Sequence, residues 1–322
     1  MEEKNQSQNI LCDKSKKGKD RNWRGRKLSN VKLSKGYQKL DYKENMVQNV
    51  RQCAEVLTFL KQENGDLKLN QAWFCKNKLC PICNWRRSMK YSWQATQIVD
   101  EAMKREPKGR FLFLTLTIKN VPGRELNQAM SDLVKAFDRL FKRTKVKKNL
   151  LGFLRATEVT VEEEREGYYH PHLHILMMIK SSYFSGKGDN FISQKEWTAM
   201  WQQSAKLDYM PVVNIKAVKN KKTEVFDQAG IKKAILETAK YPVKPIDFDD
   251  ENLQVIDDLY KGLFRKRQLA YGGLFKKIKK ELGLDDVENG ELVHVDEETG
   301  EISGGQQIVA VWNWERKNYF IK

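Results

Sequence analysis

Histidine is scarce in this chain and concentrated in one place. Only four occur in 322 residues, and three of them form His170-Pro171-His172-Leu173-His174. Alternate residues of a β-strand project to one face, so His172 and His174 are expected side by side, roughly 7 Å apart at the backbone, with Leu173 turned the other way into the core. One metal ion can bridge that gap. Two imidazoles leave the site incomplete, and the carboxylate of Glu158 in Thr157-Glu158-Val159-Thr160 is the expected third ligand, because a hairpin turning near residues 164–167 lays that segment beside the histidines. Two histidines and one carboxylate leave positions open for water or a phosphate oxygen, which is a catalytic arrangement rather than a closed structural one. The competing account is a set of hydrogen-bonded strand histidines without metal. His170 stands equally as ligand or bystander, since Pro171 disturbs the strand beside it.

A second constellation is Glu237-Thr238-Ala239-Lys240-Tyr241. At helical spacing Glu237 and Tyr241 share a face and can approach one substrate group. A deprotonated tyrosine can attack a phosphodiester, Lys240 or Lys244 can favour the phenolate and offset phosphate charge, and a glutamate can activate water. Pro242 disfavours helical geometry at Tyr241, which puts the tyrosine at the helix end. Taken alone, this segment reads more readily as an amphipathic helix with a surface Glu and a packed Tyr.

The third constellation is cysteine. Cys53, Cys75, Cys80 and Cys83 follow the spacing C-x21-C-x4-C-x2-C, and Cys80-Pro81-Ile82-Cys83 is similar to a zinc knuckle. Four thiolates can complete a tetrahedral structural zinc site; the alternative is a set of buried free cysteines. With Cys12 the count is five, odd in a chain whose polar N-terminus lacks the apolar stretch of a secretory signal, so disulfides are not expected and a cytoplasmic location is. Arg86 and Arg87 follow directly, at the start of a helix expected to carry a basic face.

The elements that must position these groups alternate in period. Residues 110–118 form an apolar, β-branched run that reads as a central strand, and Leu126, Met130, Leu133, Val134, Phe137, Leu140 and Phe141 recur at helical spacing. Residues 152–161 and 173–179 read as a hairpin. Residues 194–206 read as a helix, 212–218 as a strand and 228–241 as a helix. The order implies an α+β fold, helices packed on an antiparallel sheet. Four regions are expected: a basic, disordered arm over 1–45, a Cys-rich zinc-binding segment over 46–100, a catalytic domain over 105–246, and a C-terminal region over 247–322 for target recognition, docking on the catalytic domain or dimerisation.

Charge narrows the partner. Lys and Arg number 59 against 42 Asp and Glu, a net +17 that favours a polyanion. No run approaches the roughly 18 apolar residues of a membrane-spanning helix, so nucleic acid is expected rather than a membrane. Trp23, Trp73, Trp85, Trp197 and Trp201 are candidates to stack on bases, although tryptophans at helical spacing are mostly core.

Phe113-Leu114-Thr115-Leu116-Thr117, then His172-Leu173-His174, then Glu237 four residues ahead of Tyr241 in Lys240-Tyr241-Pro242-Val243-Lys244, together resemble the three motifs of the HUH endonuclease superfamily. Within it the chain resembles the rolling-circle replication initiators of small Gram-positive plasmids. Residues 75–87 and Tyr271-Gly272-Gly273 also look like that family, so the resemblance runs from about residue 50 to residue 320.

The resemblance implies a ferredoxin- or RRM-like core, with His172 and His174 holding a Mg or Mn ion that polarises the scissile phosphate. It implies that Tyr241 attacks to give a 5′-phosphotyrosine and a free 3′-hydroxyl that primes a host DNA polymerase, and that Glu237 activates the water that ends replication. A single tyrosine in the motif excludes the two-tyrosine mechanism. Lys240, Lys244, Arg86 and Arg87 are the expected DNA contacts. The expected partners are plasmid origin DNA as a hairpin or single strand, a host helicase, and a second copy of the chain. The rival readings are a relaxase or single-tyrosine transposase of the same superfamily, a non-catalytic zinc-dependent DNA-binding regulator, and an RNA-binding protein on a similar sheet. Covalent attachment to nicked DNA separates the enzymes from the other two.

Overall fold

Side-chain spacing, rather than composition, decides where the N-terminal region becomes ordered. The computed structural model describes residues 9–15, 18–185, 190–218, 228–239, 248, 250–295 and 305–322. In it, helix α1 (Trp23–Lys39) buries Trp23, Lys27, Asn30, Leu33, Ser34 and Tyr37, a stripe at three- and four-residue intervals. Asn22 caps it by accepting from the Gly25 amide. The disordered arm expected over 1–45 is thus replaced, across 23–39, by a helix. Its lysines and arginines hid a short apolar stripe from a reading weighted by composition.

The chain continues through α2 (Glu44–Gln52), β1 (Val56–Lys61), β2 (Leu67–Ala72) and α3 (Pro81–Arg105). Then come β3 (Arg110–Thr117), β4 (Val121–Pro122), α4 (Gly123–Lys142), β5 (Leu150–Val161), β6 (Tyr168–Ile179), α5 (Gln194–Ala205), β7 (Val213–Ala217) and α6 (Gln228–Thr238). The C-terminal part supplies α7 (Leu253–Gly262), β8 (Leu269–Gly273), α8 (Leu274–Glu281), β9 (Gln306–Asn313) and β10 (Asn318–Ile321).

These elements form two compact units, and neither follows the expected linear division. One unit gathers Met1–Lys90, Pro245–Asp257 and Asn289–Lys322. Its sheet has the order β10-β9-β1-β2, antiparallel throughout, so β9 pairs with β1 from Val56↔Val311 to Lys61↔Gln306. The Cys-rich segment and the C-terminus are therefore parts of one sheet. The other unit gathers Tyr91–Lys244 and Asp258–Glu288, and its antiparallel sheet runs β7-β3-β6-β5-β8, with β4 also on β6. The expected 247–322 region is divided between the two, because β8 and α8 extend the second sheet while β9 and β10 complete the first.

In the second unit helices cover both faces of the sheet. On one side Leu112, Leu114, Leu116, Leu173, Ile175 and Met177 meet α4 and α5, including Phe137, Leu140, Trp197 and Trp201. On the other side Phe111, Leu154, Ala156, Leu176 and Met178 meet residues of α3, α6 and α8. Pro171, which has no N–H to donate, falls on β6 between its pairing with β3, ending at His172, and its pairing with β4, beginning at Tyr169. The proline therefore sits where that side of the ladder is interrupted.

Leu173 is fully buried between two outward-facing histidines. Leu173→Ala is expected to destabilise the protein by about 2–5 kcal/mol in urea unfolding. Manganese binding measured well below the unfolding transition should stay close to wild type, because the alternation that aims His172 and His174 is set by the backbone.

Candidate active site

Register brings the three expected donors together. Glu158 on β5 is the direct pairing partner of His172 on β6, and His174 lies two residues along the same face. Glu158 Oε2 is 3.5 Å from His172 Nε2 and 3.2 Å from His174 Nε2. One donor atom from each of the three residues falls within a 4.8 Å span. His172 is 8% exposed, and Glu158 and His174 are half-buried.

Hydrogen bonds orient the rings. His172 Nδ1 faces the carbonyl oxygen of His170 at 3.1 Å. A carbonyl only accepts, so the proton of the neutral ring sits on Nδ1 and Nε2 presents a lone pair. Opposite that nitrogen lies a carboxylate oxygen of Glu158, so either a proton or a metal cation can bridge the pair. This donor set, two imidazole nitrogens and a carboxylate with room for further ligands, fits a divalent metal. His174 Nδ1 is in turn 3.1 Å from Thr115 Oγ1, and its ring stacks on Phe113 at 5.6 Å.

Burial by itself pushes the Glu158 carboxyl up. The hydrogen bonds and charge of His172 and His174 outweigh it and hold the group at about 2. Glu158 is therefore an anion throughout any working pH, as a metal ligand must be. His170 stays outside the converging donors. Its ring is 5.2 Å from that of His172, and burial, followed by the charge of His172, lowers its pKa. Its backbone carbonyl is what serves the site.

The helix of the second constellation packs over the same sheet face. Ile231, Ala234 and Ile235 of α6, with Ala239 just beyond it, join the core formed by Leu154, Ala156, Leu176 and Met178. Glu237 is half-buried near the end of that helix. Lys240, Tyr241 and Lys244 lie outside the described residues.

Arg86 and Arg87 differ from expectation. They are 2% and 3% exposed. Arg86 donates to the carbonyls of Leu292 and Val293, and Arg87 to those of Lys76 and Asn77 and to the Asn84 side chain. The guanidiniums brace the fold from inside, so the surface role expected of them gives way. Among the tryptophans, Trp197 and Trp201 are core, Trp23 and Trp85 pack edge to face at 4.8 Å, and Trp73 is half exposed. Cys53, Cys75, Cys80 and Cys83 converge in the other compact unit.

Two groups lay outside the sequence reading. Thr115 pairs with His174 across β3 and β6, so a strand residue two before the terminal Thr117 was the available signal. Lys119 is exposed two residues past Thr117, the partner of His172, and its ammonium lies 4.1 Å from the centre of the Tyr209 ring.

A family profile described as "Replication protein" matches residues 66–320. A "Protein rep" from Streptococcus pneumoniae serotype 2 (strain D39 / NCTC 7466) is 60% identical over 322 residues, covering 100% of this chain and 98% of the relative. Proteins of the same description from Lactiplantibacillus plantarum and Lentilactobacillus hilgardii are 48% and 43% identical, covering 97% and 98% of this chain and 99% of each relative. No solved structure matches. Among the described residues no helix is long and apolar enough to cross a membrane.

Thr115→Val, which removes one hydroxyl from a strand position of unchanged shape, should weaken Mn binding by about 10-fold or more in isothermal titration, because the ring it orients loses its partner.

Proposed function

Since the chain belongs to the replication protein family, we propose that it starts rolling-circle replication of a plasmid by nicking one strand at the origin with a tyrosine nucleophile. The observation that carries this reading is the convergence of Glu158, His172 and His174 on the sheet face over which the Glu237 helix packs.

Glu158, His172 and His174 would hold Mg or Mn, whose positive charge polarises the scissile phosphate. The chain's own groups do the remainder. Thr115 and the His170 carbonyl hold the imidazoles so that both Nε2 atoms face Glu158, where the ion would be held. Tyr241 supplies the nucleophile. Its phenolate oxygen forms a bond to phosphorus, the P–O3′ bond breaks, and the leaving oxygen takes a proton to become the 3′-hydroxyl that a host polymerase extends. Lys240 and Lys244 favour the phenolate and offset phosphate charge. Glu237 activates water at the end of a round, releasing the 5′-phosphate from the tyrosine. Origin DNA, as a hairpin or melted strand, and a host helicase are the partners this chemistry requires. The net charge of +17 suits binding to DNA and predicts steep salt dependence.

The test uses end-labelled single-stranded oligonucleotides spanning the origin, with Mn or Mg, resolved on denaturing gels. Wild-type protein should give a covalent protein–DNA band, abolished in Tyr241→Phe and by chelation. Binding without cleavage under every metal would refute the nickase and favour a DNA-binding regulator. A separate expectation concerns release. Glu237→Gln should form the covalent band at a rate near wild type and accumulate it, because the water that ends the reaction is no longer activated.

A further inference from the structure

The cysteine quartet is the strongest cluster that nicking chemistry leaves unused. Cys53 Sγ lies 3.6 Å from Cys83 Sγ and 3.7 Å from Cys80 Sγ, and Cys75 Sγ lies 3.7 Å from Cys83 Sγ. Four sulfurs each about 2.3 Å from a zinc ion stand roughly 3.8 Å apart at the corners of a tetrahedron, which these separations match. A polynuclear iron–sulfur cluster interposes inorganic sulfide and needs a wider cage. We propose that Cys53, Cys75, Cys80 and Cys83 bind one structural zinc ion as a closed tetrathiolate, with Lys27 as the positioning residue that offsets its charge and ties helix α1 to it.

The surroundings support a metal over four idle thiols. Cys53, Cys80 and Cys83 are fully buried, so no position is left open to substrate, the mark of a structural site. The Cys75 amide donates to Cys53 Sγ and the Cys83 amide to Cys80 Sγ, treating both sulfurs as acceptors. The residue after Cys53 and the residue after Cys75, Ala54 and Lys76, both adopt left-handed backbone, at φ 54° and 57°, without being glycine. Such conformations persist where the surroundings over-determine them. Ala54 is held at both ends, its amide donating to the Trp73 carbonyl and its own carbonyl accepting from Tyr319 Oη. Arg87 grips the carbonyls of Lys76 and Asn77 in the loop between the second and third ligands.

Lys27 gives the independent indication. Its side chain is fully buried, and its ammonium donates to the carbonyls of Arg51 and Cys53, each at 2.7 Å. Among the described residues no carboxylate lies within ion-pair distance of it. A buried cation without an anionic partner is costly, and zinc with four thiolates carries a net charge of −2 directly beside it. The Glu55 carboxylate and the Trp314 ring already favour the ammonium, and a loaded tetrathiolate would add the larger counter-charge. Filling the site joins α1, the end of α2, the end of β2 and the start of α3 at one point.

The experiment uses full-length protein, desalted into chelator-free buffer and assayed for metals by mass spectrometry, in a His172→Ala/His174→Ala background that removes the other metal group. That variant should retain one zinc per chain, and adding Cys80→Ser/Cys83→Ser should abolish it. Cobalt(II) substituted for zinc should show sulfur-to-metal charge-transfer absorption that the cysteine changes remove. Lys27→Met should release zinc to a chromophoric chelator with an apparent affinity lower by about 10-fold or more, and Lys27→Arg, which keeps the charge, should lose less. Metal-free protein with native circular dichroism and freely reacting thiols, or iron in place of zinc at one per chain, would overturn the zinc site. Unchanged zinc affinity in Lys27→Met would overturn the role of Lys27. None of these readouts depends on nicking.

Discussion

The site depends on a single constraint, the pairing register between β5 and β6. Because Glu158 stands opposite His172, a carboxylate oxygen falls within 3.5 Å of both Nε2 atoms. A slip of one residue along either strand would send Glu158 to the opposite face, among the leucines and phenylalanines of α4, and break the donor set completely. The register is fixed by apolar residues rather than by the site. Leu173, Ile175 and Met177 lock one face of β6, Leu176 and Met178 the other, and both faces are covered by helices. The packing core thus specifies the geometry of the three donors.

The same logic explains why β6 carries its histidines beside a proline. A central strand tolerates proline only where a ladder partner is absent, and β6 has that interruption between its pairing with β3 and with β4. The irregularity frees the His170 carbonyl to accept from His172 Nδ1. Thr115 performs the corresponding task for His174 from the other neighbouring strand. The metal-facing nitrogens are therefore held by one contact from within β6 and one from β3, so the site is pre-organised by the sheet itself.

Much of this was legible in the sequence because strand alternation is a local rule. The placement of His172, His174 and Glu158 on one face, with Leu173 on the other, needs only a period of two and a hairpin loop. Composition was a weaker guide. The basic arm hides the Trp23–Lys27–Asn30–Leu33–Tyr37 stripe because two of its five positions are polar, and their burial makes sense only against partners elsewhere, the carbonyls of Val50 for Asn30 and of Arg51 and Cys53 for Lys27. Arg86 and Arg87 were misplaced for the same reason. A helix with paired arginines reads as a solvated basic face until the carbonyls of residues 292 and 293, distant in sequence, receive Arg86 and those of Lys76 and Asn77 receive Arg87. The interleaving of the two units is likewise invisible locally, since the pairing of β9 with β1 joins segments some 250 residues apart.

The two donor groups that could hold a metal divide by chemistry as they do by unit. Sulfur donors, nearly all buried and hydrogen-bonded by backbone amides, suit an ion that exchanges slowly and asks for nothing more than enclosure. Nitrogen and carboxylate donors at the edge of a sheet suit a harder ion that keeps positions open for phosphate oxygen. An ion of the first kind would be useless for polarising a phosphodiester, having no free site. One of the second kind would hold a fold together poorly, since its remaining ligands are water. Each unit thus carries a donor set suited to a different kind of ion, with Lys27 beside the cysteines and with Thr115 and the register of β5 on β6 setting the geometry of the histidines.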